Sequence, residues 1–186
     1  FHASQRSGVL LAAAVLLLAA LPLSAQVPEA TTAALKQIFA SRQYAPERFG
    51  PARWIEGGAA YTTLDRSAET KGGFDIVRYY AKTGARSVLV AAALLVPAGD
   101  SAPLQIANYI WSPDAKQLMI FTNTKQVWRQ NTRGDYWVLD RGDGALRRLG
   151  GKDAPASTMM YAKFSPQGDR VAFVRKGDIY VERLAD

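Results

Sequence analysis

The 186-residue sequence contains no cysteine. That one absence removes disulfides, thiolate metal sites, a cysteine nucleophile and a lipid-modified cysteine at an export cleavage point. Histidine is nearly as scarce: the single copy, His2, stands ahead of an apolar run at 9–23. A chain cleaved after that run keeps no imidazole, which excludes a Ser-His-Asp triad within it. There is no Gly-x-Ser-x-Gly elbow and no Cys/His cluster for zinc. Asp140, Asp143 and Gly144 superficially suggest a calcium loop, but the ligand spacing and distal Glu are missing, so they read as a hairpin turn. Glu47 and Glu56 have no paired carboxylate at a telling position. No metal and no cofactor is expected.

Clustered charge is also lacking. The 23 Lys and Arg exceed the 16 Asp and Glu by a formal +7, yet the cations are scattered singly, as at Arg42, Arg53, Arg78 and Arg170. Arg147-Arg148 is the only Arg-Arg doublet, and it closes an expected strand. Nucleic-acid binding calls for a concentrated basic face, so no nucleic-acid partner is expected.

What is present begins with export chemistry. Arg6 leads the Leu/Ala/Val run at 9–23, which Pro22 interrupts before Leu23-Ser24-Ala25. A charged start, an apolar centre and a small-residue exit read as a secretory signal over 1–25. A spanning helix normally needs about 20 apolar residues, and this run is shorter. Cleavage near Gln26 and a periplasmic or secreted product are expected, with no stable membrane insertion afterwards. An uncleaved anchor is the alternative. The first residue is Phe1 rather than Met, so the sequence reads as having lost its natural start.

Residues 26–51 read as a linker with one short helix. The stretch 27–34 is rich in Thr and small residues, and Leu35, Ile38 and Phe39 fall at helical spacing. Pro46, Gly50 and Pro51 end that pattern.

From Ala52 onward, short β-branched and aromatic runs alternate with Gly, Asp and Pro turns, the texture of an all-β fold. The runs also repeat. Trp111-Ser112-Pro113-Asp114 precedes Gln117 to Phe121, and Phe164-Ser165-Pro166-Gln167-Gly168 precedes Arg170 to Val174. Trp54 holds the corresponding place in the first unit. Each unit then reaches an Asp-led strand, at Asp75, Asp135 and Asp178. Four short strands recurring about every 50 to 60 residues are the sequence pattern of propeller blades. The expected blades are about 52–90, 106–149 and 159–186, an incomplete β-propeller of about two and a half four-stranded blades. The aromatics at 54, 111 and 164 are expected to pack inward.

One stretch exceeds the repeat. Between Phe121 and Asp135 runs a long connection, 122–134, where the third unit has only Arg175-Lys176-Gly177. Long connections on compact β scaffolds are commonly functional or disordered. Trp128 beside Arg129 offers an apolar platform and a planar cation suited to carbonyl or carboxylate groups. The alternative is a surface loop with Trp128 tucked into the core and Arg129 solvated.

The segment Lys125-Gln126-Val127-Trp128-Arg129-Gln130, leading to Asp135-Tyr136-Trp137-Val138-Leu139-Asp140, resembles the dipeptidyl peptidase IV group of the prolyl oligopeptidase superfamily. The stretches 38–54, 111–114 and 177–181 look like its bacterial branch. The resemblance covers about residues 35 to 186. It implies an N-terminal propeller followed by an α/β-hydrolase domain that carries the serine triad and is absent from this chain. It further implies release of N-terminal dipeptides with Pro or Ala second, a peptide substrate, a possible homodimer, and binding of a substrate carbonyl by Arg129. A catalytically silent propeller binding module and another peptidase of the superfamily stay open.

Overall fold

The computed structural model describes residues 27–41, 43–45, 49–151 and 153–184. The proposed export signal over 1–25 lies outside them. The chain divides into two compact units, Phe1–Glu47 and Arg48–Asp186.

In the first unit, helix α1 spans Glu29–Leu35 and continues into a π-helical turn, Lys36–Ala40. The helix therefore begins inside the stretch read as linker. Ala30, Ala33 and Ala34 carry the highest intrinsic helix propensity, and Glu29 sits in the first turn against the positive end of the helix dipole. An Ala/Thr run has no apolar periodicity, so a search for an amphipathic stripe passes over it.

The second unit is antiparallel β-structure. Strands β1 (Arg53–Ile55), β2 (Ala60–Arg66), β3 (Phe74–Tyr80) and β4 (Arg86–Val90) form one sheet in that order. Strands β5 (Asn108–Trp111), β6 (Gln117–Val127) and β7 (Gln130–Asp140) continue with β8 (Leu146–Arg148), which pairs with β7. Strands β9 (Met159–Phe164), β10 (Arg170–Arg175) and β11 (Asp178–Arg183) form the last group. This is the expected all-β, partial-propeller fold. The second and third groups are not separate sheets, however. Among the described residues a single pair, Gly134 with Met159, joins β7 to β9 and makes one seven-stranded sheet, six strands in line and β8 beside β7.

The repeated Ser-Pro turns share one device built from different spacings. Ser112 Oγ donates to Asp114 Oδ1 at 2.7 Å and accepts from the Gln117 amide at 2.9 Å. In the next group Ser165 Oγ donates to Asp169 Oδ1 at 2.7 Å and accepts from the Arg170 amide at 3.1 Å. The serine donor holds each carboxyl below the usual Asp range. One carboxylate lies two residues beyond its serine and the other four, yet both close the same turn.

The middle group is buried on both faces, which explains its near-continuous apolar runs. Leu118, Ile120 and Leu139 face Ile76, Val90 and Tyr109, towards the first sheet. Met119, Tyr136 and Val138 point the other way, onto Met159, Val171 and Phe173 of the last group. Successive strand side chains alternate faces, so one strand feeds both cores. A polar lock crosses the first interface: Tyr109 Oη and Trp111 Nε1 both meet Thr62 Oγ1 at 3.0 Å. Of the three aromatics expected inward, Trp111 and Phe164 pack against these cores. Trp54 does not. It is 69% exposed, and its ring rests edge-on against Tyr61.

Candidate functional site

The connection at 122–134 is not a loop. Strands β6 and β7 run on past the sheet as a two-stranded arm, with Val127 paired to Gln130 across a two-residue turn, Trp128-Arg129. The arm was hidden from a strand search because Thr, Asn, Lys and Gln occupy both of its faces and no Gly marks its turn. Trp128 takes the turn's positive φ itself, at 61°. For a bulky L-residue that conformation costs roughly 1–2 kcal/mol. The Gln126 side-chain amide donates to the Trp128 carbonyl at 2.8 Å and braces the turn.

Trp128 is 93% exposed, so the tucked-in alternative does not describe it. Arg129 is exposed as well, and no carboxylate among the described residues pairs with it. Lys125, Arg129 and Arg133 are the arm's charges, and no acid lies between 122 and 134. Lys125 and Arg133 stand directly opposite one another, an unfavourable pairing of like charges. The arm thus presents an exposed indole at its tip and, beside it, a planar cation that pairs with no carboxylate among the described residues. Chemically it can grip a carbonyl or carboxylate oxygen. It holds no acid or base.

Two irregularities bend the arm. Asn123 and Thr124 together face Gly134, and Thr132 is unpaired between the Arg133–Lys125 and Asn131–Gln126 pairs. Extra residues of this kind kink a strand and re-aim what lies beyond. Gly134 is required at the root: a Cβ there would lie 2.3 Å from Phe121 Cε2 and 2.7 Å from the Thr122 carbonyl.

Beneath the arm a cleft of about 200 Å³ opens between β5 and β9, with Asn131 and Thr132 of the arm on one side. Asn108, Tyr161 and Lys163 contribute its other polar edges, and Phe121 and Tyr136 are among the aromatic residues lining it. Tyr161 has φ 58° and is 61% exposed. It lies where β9 slips against β10, so the irregularity turns its ring out of the sheet. Burial pushes the Tyr136 hydroxyl above its ordinary range, partly countered by the amides of Ala162 and Tyr161.

Asp140 and Asp143 serve as turn residues: their Oδ1 atoms accept from the Gly142 amide at 2.7 Å and the Ala145 amide at 2.8 Å. Asp135, which sequence reasoning used only as a strand marker, is a buried hub at the arm's root. Its carboxylate accepts from Arg148 Nη2 at 3.0 Å, the Ser157 amide at 2.8 Å and Asn123 Nδ2 at 2.8 Å. The signal that could have found it was its position, an acid directly opposite Thr122 at the foot of the irregular stretch.

Repeated antiparallel groups, double-sided burial of the middle one and an arm rising from it are the features of a partial β-propeller. Residues 112–186 match the family described as dipeptidyl peptidase IV (DPP IV) N-terminal region. That segment, which includes the whole arm, is similar to the N-terminal region of dipeptidyl peptidase IV proteins. The chain is 32% identical over 95 residues to dipeptidyl aminopeptidase B of Saccharomyces cerevisiae, covering 51% of this chain and 11% of that protein. It is 33% identical over 81 residues to the probable dipeptidyl-aminopeptidase B of Neosartorya fischeri, covering 43% of this chain and 9% of the relative. The crystal structure of Porphyromonas gingivalis dipeptidyl peptidase 4 superposes with a TM-score of 0.64 at 25% identity, over 80% of this chain and 20% of that one. The chain thus spans about a tenth of the length of these curated relatives.

Proposed function

We propose that this chain is the N-terminal propeller portion of an exported serine-type dipeptidyl peptidase that releases N-terminal dipeptides with Pro or Ala second. The observation that carries the reading is the exposed, unpaired Arg129 at the tip of a bent arm within the family-matched segment. Arg129 donates to a backbone carbonyl of the peptide, and Trp128 limits the approach from one side. A hydrolase domain elsewhere in the whole protein supplies the nucleophile, base and oxyanion donors. The described residues contain no histidine, so the part proposed here is to bind and gate. A homodimer is the proposed assembly. Export rests on the 1–25 pattern. Among the described residues no helix is long and apolar enough to cross a membrane.

The full-length protein is expected to cleave X-Pro and X-Ala p-nitroanilides. It should spare N-acetylated versions and lose activity to a serine-directed phosphonate. The mature N-terminus of the same preparation is expected near Gln26. Unblocked dipeptide substrates left intact by a folded protein would support a silent binding module instead. A mature chain that retains the 9–23 run would contradict export.

A further inference from the structure

The arm is clamped at its root by a buried carboxylate, and a comparison inside the molecule shows what that carboxylate is for. Asp75 on β3 and Asp135 on β7 both lie on the third strand of their groups, Asp75 second in its strand and Asp135 mid-strand, just past the arm. Each accepts a backbone amide from the segment leaving its group: Ala92 at 2.8 Å for Asp75, and Ser157 at 2.8 Å for Asp135. That contact is the shared structural duty. The hairpin joining β2 to β3 has no arm, and the Ala92 amide is the one donor to Asp75 among the described residues. Asp135 takes two more donors, Arg148 and Asn123. The added contacts occur where the arm exists.

Asn123 is the link to the arm itself. It is one of the two residues that face Gly134, it adopts φ 46°, and its side-chain amide reaches back to Asp135 Oδ2. Its carbonyl accepts from Ser157 Oγ at 2.6 Å, and Ser157 also holds a positive φ of 56°. Two left-handed non-glycine residues meeting around one buried acid form a root with little freedom. Arg148, itself largely buried, pairs with the carboxylate at 3.0 Å and ties it to β8. Between this root and Arg129 the arm has backbone pairing, the Gln126 brace within its own turn, an unpaired Thr132 and a repulsive Lys125–Arg133 pair. Among the described residues no side-chain hydrogen bond ties this outer part to the rest of the sheet.

We infer that Asn123 and Asp135 are positioning residues that aim the arm and so set where Arg129 stands over bound peptide. This rests on the reading of Arg129 given above. A substitution at Asn123 is the selective test, because it leaves the Asp135–Arg148 and Asp135–Ser157 contacts intact. Asn123→Gly suits the positive φ and removes the side-chain link, at the cost of some added backbone freedom. Asp135→Ala cuts all three contacts and serves as the stronger but less foldable variant.

The full-length enzyme is assayed with dipeptide p-nitroanilides, and amide hydrogen exchange is read across 122–134. Asn123→Gly is expected to speed exchange in the arm by about tenfold or more, with β9 and β10 unchanged. It should raise KM about 5- to 10-fold with kcat within about twofold. A merely structural lesion would instead lower the active fraction, and so Vmax, at constant KM. Unchanged exchange in the arm overturns the clamp. Loosened exchange with unchanged KM, in an enzyme where Arg129→Ala does raise KM, overturns the positioning role. If Arg129→Ala has no effect, the reading of Arg129 fails instead, and the exchange measurement still decides the clamp.

Discussion

Gly134 shows how one residue carries several structural duties. Its missing side chain lets Phe121 and the Thr122 carbonyl close over the β7 backbone. The same backbone makes the single pair that joins the last two strand groups. Its φ is unremarkable, so the demand is for space and not for conformational freedom. Gly134→Ala therefore overpacks the arm's root, at a cost of about 1–3 kcal/mol. The expected result is a lower urea midpoint with an unchanged slope, together with weaker protection of the Met159 amide. A wild-type midpoint would show that the root yields more readily than its contacts indicate. Arg129 and Trp128 present the opposite case. They are nearly free of contacts, so their substitution should affect binding and leave stability close to wild type.

At the scale of elements, legibility followed the buried pattern. Strands β6 and β7 within the sheet could be read because Leu118 to Phe121 and Tyr136 to Leu139 alternate into two cores. Their extension as an arm could not be read: its residues bury nothing and repeat nothing. Helix α1 was misplaced for a related reason, since Ala30, Ala33 and Ala34 form helix by propensity and leave no apolar stripe to detect. Position 129 stood out in the sequence through its Trp-Arg neighbourhood, and the structure places it at the exposed tip of the arm. The Asn123–Asp135 clamp was not, because it depends on a register irregularity that spacing alone does not reveal. The edge strand β11 carries a prediction of its own. Ile179 and Val181 are 77% and 64% exposed on a strand that, among the described residues, pairs only with β10. Exposed apolar edges recruit other strands. Residues 26–186 expressed alone should self-associate, and Ile179→Lys with Val181→Lys should shift light scattering towards monomer. Unchanged association would place the contact elsewhere.

For the molecule as a whole, two shared cores and a polar lock make the three strand groups a stiff base for one projecting arm. On the proposed reading, this base holds Arg129 over a peptide. The most direct measurement is kcat/KM of the full-length protein on a dipeptide p-nitroanilide, for wild type, Arg129→Ala, Arg129→Lys and Arg133→Ala. A charged donor to a carbonyl contributes about 1.5–3 kcal/mol, so Arg129→Ala should lower kcat/KM by roughly 10- to 150-fold. Arg129→Lys should recover only part of that, because an ammonium lacks the planar fork. Arg133→Ala lies on the same arm, removes the same charge and relieves the pairing with Lys125, and should stay within about twofold of wild type. Equal losses at 129 and 133 would mean that the arm contributes only general positive charge. No loss at Arg129 in a folded, active enzyme would contradict the account.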